Sequence, residues 1–154
     1  MNETTQVLAC RGVRGATTAD TNDPEEILLR TRQLLGLLIR RNHLKKEDIC
    51  SAVFSMTSDL DSEFPALAAR QLGWFDVPLM CVRELEITGS LPRCIRILLH
   101  WNTTKTADEI VHIYVRDAEH LRPDMGDLPP VNWEALETWL EEHLDDSVKS
   151  NLRK

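Results

Sequence analysis

A carboxylate and a guanidinium, Glu84 and Arg96, stand at the inner ends of two apolar runs that read as neighbouring strands, separated by Thr88-Gly89 and Leu91-Pro92. Charges in such positions are costly to desolvate and are usually kept for a ligand; a solvated ion pair on a surface hairpin is the simpler alternative. Arg14, Arg70, Tyr114 and Arg122 punctuate the ends of other predicted elements. Several arginines with one carboxylate and one phenol suit a small dianion, because each guanidinium can hold a carboxylate through two parallel hydrogen bonds. No Ser/His/Asp arrangement stands out, and Cys81 has no imidazole near it in sequence. Arg11-Gly12-Val13-Arg14-Gly15 has neither the GxGxxG nor the Walker pattern of a phosphate loop. The chemistry left is positioning and charge stabilisation, or binding alone.

The chain that must position these groups has 154 residues, enough for one domain with a sizeable core and a small appendage. Its net charge of -7 argues against nonspecific nucleic-acid binding. No apolar run approaches the ~20 residues that span a bilayer, and the first residues lack the basic and apolar regions of a signal peptide, so a cytoplasmic protein is expected. Cys10, Cys50, Cys81 and Cys94 form no CxxC pair and the five histidines no HxxxH pair, which indicates neither metal nor disulfide framework. Three of the four cysteines lie in apolar runs and read as small buried hydrophobes.

Residues 7–13 read as a first strand ending in a turn at 14–18. Asp23 as cap, Pro24 at the first helical position and apolar residues from Ile27 to Leu38 at helical spacing predict a long helix closed by Arg40 and Arg41. A buried strand follows at 49–56, a short helix from Phe64 to Leu72, and strands at 77–82, 93–101 and 110–115. Strands and helices mix without strict alternation, which predicts an α+β fold, a mixed sheet with helices on one face. Residues 1–126 form the predicted domain. Residues 127–154 are an extension, a stiff Pro129-Pro130 link and one amphipathic helix over 131–150 that carries Trp133, Leu136, Leu140 and Leu144 on one face, docked or frayed in preference to a functional lid.

At the polar residues a resemblance becomes specific. Four blocks, Arg11 to Thr18, Asp59-Leu60 through Phe64-Pro65-Ala66 to Arg70, Val77-Pro78 through Cys81, Glu84 and Thr88-Gly89 to Arg96, and His112-Ile113-Tyr114 through Leu121-Arg122-Pro123, occur in the order and spacing of the monofunctional, Bacillus-type chorismate mutases. The resemblance implies a homotrimer of pseudo-α/β-barrel fold with active sites between subunits. It also implies rearrangement of chorismate to prephenate without a cofactor. By it, Arg96 would stabilise the ether oxygen, Glu84 would accept from the ring hydroxyl, and Arg14 with Tyr114 would clamp a carboxylate. Cys81 would lie beside Glu84; Phe64, Ala66, Leu79 and Met80 would wall the ring; Arg122, next to Leu121, and Arg70 would hold the ring carboxylate. Arg70 on its helix could equally make a structural ion pair.

Two positions depart from the family pattern, Leu67 where a lysine is usual and Met80 where a threonine is usual. Residues 131–154 have no counterpart in it. Two other functions compete. An enamine/imine deaminase of related trimeric fold would lack the Glu84 and Arg96 spacing. A noncatalytic sensor of an aromatic-pathway acid would not require a cation at the ether oxygen.

Overall fold

The computed structural model describes residues 6–123 and 129–152, so the expected boundary between 126 and 127 lies outside the described residues. Five strands, β1 (Ala9–Thr18), β2 (Ile49–Met56), β3 (Leu79–Arg83), β4 (Cys94–Thr103) and β5 (Ile113–Tyr114), form one mixed sheet in the order β3-β2-β4-β1-β5. The pairs β1 with β4 and β2 with β4 are antiparallel; β2 with β3 and β1 with β5 are parallel. Helices α1 (Pro24–Asn42) and α2 (Ala66–Gln71) cover one face. Their apolar sides meet the inward residues of alternating strands, Val13, Ala52, Phe54, Ile97 and Leu99, all at most 1 % exposed. The α+β expectation with helices on one face therefore holds.

The order of strands corrects the reading of Glu84 and Arg96. Their strands are not neighbours: β2 lies between β3 and β4. A parallel β2–β3 pair needs a crossover, and the chain from 57 to 78, with α2, supplies it. The turn expected at 14–18 is also wrong. Strand β1 runs on through the β-branched Thr17 and Thr18, both buried and paired with Ile95 and Cys94. Gly15 permits this strand to be flanked closely on two sides, since a Cβ there would stand 2.7 Å from the Ile113 carbonyl and 2.9 Å from the Leu34 side chain. Of the strand expected at 110–115 only Ile113 and Tyr114 pair.

Asp23 occupies the N-cap of α1 with extended backbone but without a side-chain bond. The C-terminal helix is two helices: α3 (Trp133–His143) ends at Leu144, whose ψ of 142° leaves the helical region, and α4 (Asp146–Leu152) follows. Helix α3 starts properly, with the Asn132 side chain accepting from Ala135 N–H at 3.0 Å. Leu136, Leu140 and Leu144 are buried in the same core as α1 and the sheet. Gly36 of α1 makes the seat, because a Cβ there would meet Leu140 at 2.9 Å and Leu136 at 3.2 Å.

Candidate active site

The face of the sheet away from α1 carries the charges. Register partners point to the same side, so Val82, Ser55, Arg96, Ala16 and Tyr114 form one row across all five strands, with Arg96 on the central strand. Leu98 and Arg14 occupy the adjacent row. Glu84 follows β3, held by its N–H on the Met56 carbonyl at 3.0 Å. Its carboxylate lies 3.2 Å from Arg96 Nε and also accepts a short hydrogen bond from Ser55 Oγ. Ser55 was not among the residues expected in the site. Its only signal was a hydroxyl in a largely apolar strand, one it shares with Ser51 on the same face. Because β2 separates the two charged residues, Ser55 is the group that can reach between them.

Arg14, Glu84, Arg96 and Tyr114 thus line one open cleft of about 370 Å³, floored by Val53, Ser55 and Leu98. Arg96 keeps 44 % of its side chain exposed and Glu84 24 %, so the pair is partly solvated and can exchange partners with a ligand. Tyr114 also borders a smaller pocket of about 140 Å³ with Arg122 on its wall, together with Arg41 and Glu119. Leu121 and Tyr114 both pack against Ala16, Cys94 and Ala118. Along the same sheet face Ser51 Oγ and His100 Nδ1 lie 2.9 Å apart, the ordinary contact of two facing polar residues in register.

The other expected site residues lie elsewhere in the chain. Phe64 and Cys81 line a separate cleft of about 410 Å³ between the start of α2 and the edge strand β3. Met80 and Arg70 are exposed, while Leu79 and Ala66 pack against the main core. Three of the four cysteines were expected to be buried, and only Cys94 is; Cys10, Cys50 and Cys81 are exposed. Burial raises the pKa of the Cys94 thiol. For Cys81 the reason is topological, since an edge strand has one flank without a neighbour.

Fold and site together define a class: a small α+β protein that presents fixed cations, one carboxylate and one phenol on an open sheet face, suited to hold and polarise a small anion. The family model for chorismate mutase type I matches residues 10–125. The chain is 46 % identical over 116 residues to the chorismate mutase AroH of Thermus thermophilus, covering 75 % of this chain and 95 % of that one. Against the chorismate mutase AroH of Bacillus subtilis it is 45 % identical over 117 residues, covering 75 % and 92 %. A solved chorismate mutase from Clostridium thermocellum superposes with a TM-score of 0.71 at 43 % identity, covering 71 % of this chain and 98 % of that one. The chain belongs to the type I chorismate mutase family. Among the described residues no helix is long and apolar enough to cross a membrane.

Proposed function

We propose that the open-face cleft is the site at which this chorismate mutase rearranges chorismate to prephenate, a step of aromatic amino-acid biosynthesis. The observation that carries the assignment is the Ser55–Glu84–Arg96 contact in one cleft with Arg14 and Tyr114. The reaction is pericyclic. One C–O bond breaks as a C–C bond forms, and no proton need move. Negative charge grows on the ether oxygen in the transition state, and a fixed cation there is worth more than in the ground state. Arg96 is that cation. Its Nε faces Glu84, so its terminal amino groups are the ones to meet the ether oxygen. Glu84 accepts from the ring hydroxyl and keeps Arg96 oriented, while Arg14 and Tyr114 hold the side-chain carboxylate over the ring. Arg122, beyond Tyr114, takes the ring carboxylate.

The second cleft, with Phe64 and Cys81, belongs in this reading to the site of a neighbouring copy. A homotrimer would bring the edge of β3 from one subunit against the open sheet face of the next and close the pseudo-barrel. Exposed Met80, Val82 and Leu98, at 61 %, 44 % and 38 %, supply apolar surface for such a contact. Arg70, on α2, would then reach the mouth of the same composite site.

The test is the loss of chorismate absorbance with purified variants. Arg96→Ala lowers kcat by at least about 100-fold, the scale for removing one preorganised donor to a developing oxyanion, while the protein stays folded. Glu84→Gln loses less, because the amide oxygen still accepts from a hydroxyl. Activity of Arg96→Ala within tenfold of wild type would sink the charge-stabilisation assignment.

A further inference from the structure

Strand β5 is too short to position Tyr114 by itself. It pairs with β1 at only two places, Gly15 with Ile113 and Ala16 with Tyr114. Two side chains supply the hydrogen bonds that a longer strand would have made with backbone. Asn42, the last residue of α1 and 1 % exposed, donates to the Val111 carbonyl at 2.8 Å and accepts from the Val111 N–H at 2.8 Å, while also donating to Leu38. One residue further on, His112 Nδ1 accepts from the backbone N–H of Arg14 at 3.1 Å.

That last bond ties the backbone of Arg14 to the side chain of the residue two places before Tyr114. It stands immediately before the Gly15–Ile113 pair and extends the β1–β5 ladder by one place, with imidazole in the role of a carbonyl. We infer that His112 is a positioning residue for the rearrangement: its Nδ1 anchors Arg14 and so sets the separation of Arg14 from Tyr114. An acceptor at Nδ1 places the ring hydrogen on Nε2 and requires the neutral imidazole. The half-buried setting of His112 favours that form by lowering its pKa. His112 touches no reacting atom in this scheme; it acts through Arg14.

The inference rests on the assignment of Arg14 and Tyr114 to the site, so the experiment includes Arg14→Ala beside three variants of His112. Asn places a carbonyl oxygen where Nδ1 stands, Gln places it one atom further out, and Leu fills the space without an acceptor. Expected values of kcat/KM are a fall of about tenfold for H112L and H112Q, below the ~100-fold that an ångström of misplacement can cost, and recovery to within about threefold for H112N. Circular dichroism verifies that each variant is folded. Equal impairment of all three His112 variants would mean that the ring matters for packing and not as an acceptor, and wild-type activity in H112L would mean that the bond does not matter; either overturns the inference alone. If R14A keeps wild-type kcat/KM, the site assignment fails and the inference falls with it.

Discussion

Ser55 shows where residue-level reading of the sequence stops. Glu84 and Arg96 are recognisable as chemistry because charges between apolar runs are uncommon, and the structure brings them to 3.2 Å. A serine in a strand carries no such signal. Its hydrogen bond to Glu84 depends on β2 lying between β3 and β4, which is a property of the sheet and not of its neighbours in sequence. His112 stood out in sequence only as part of the His112-Ile113-Tyr114 block, with no role of its own, and its environment predicts an effect on stability. Burial lowers its pKa below the ordinary 6.5, so between the folded and unfolded values the unfolded chain binds more protons. Its contribution is therefore present above the unfolded value and is lost as pH falls toward the folded one. The urea midpoint of the wild-type protein should fall more steeply than that of His112→Asn as pH drops below about 6.5. Parallel curves for the two proteins would remove His112 as the cause.

Among the elements, α1 was the most completely legible. Pro24, the acidic first turn, the apolar spacing and the basic last turn each specify the same helix, and the observed span is Pro24–Asn42. Strands β2, β3 and β4 were readable to within two residues, but strand neighbours were not, because pairing is decided by crossovers that periodicity does not encode. The short β5 escaped for a related reason: residues 110–115 alternate like a strand, but side chains of Asn42 and His112 take over much of the bonding. Helix α3 was visible as an amphipathic helix, and what it covers was not. Its Leu136 is fully buried against α1 and the sheet. Leu136→Ala should cost ~2–5 kcal/mol in urea unfolding with kcat unchanged at temperatures where the variant is folded. A loss below about 0.5 kcal/mol, the scale of surface substitutions, would mean that α3 is not part of the core.

For the molecule as a whole, the family match ends at residue 125, yet the chain beyond 129 docks into the same core. Asp145 N–H bonds to the Gln71 carbonyl at 2.7 Å, and Gln33 donates to Glu137 at 2.8 Å, so the extension fastens α1 and α2 together from outside. The opposite face of the sheet carries the charges and the exposed Met80, Val82 and Leu98. Such an asymmetry suits assembly through the sheet face, with the extension kept clear of it. The proposed composite site has a direct consequence in mixtures of inactive variants. Arg96→Ala damages the open-face cleft and Cys81→Trp blocks the edge cleft. Co-refolded in equal amounts, the two should regain about a quarter of wild-type activity, because random assembly leaves that share of interfaces with both halves intact. A mixture no more active than its components would sink the shared site.

The two charges of the site stand on parts of the sheet with different stability. Arg96 belongs to β4, hydrogen-bonded on both flanks along most of its length, whereas Glu84 sits where β3, an edge strand, gives way to the exposed segment around Leu85 and Ile87. Native-state amide exchange should divide them accordingly. Deuterium enters residues 95–99 only on global unfolding and residues 85–91 through local opening. In the proposed site the ion pair would then span the boundary between two cooperative units, and the carboxylate would swing away to admit or release a ligand while the cation stayed registered on the slowest-exchanging strand.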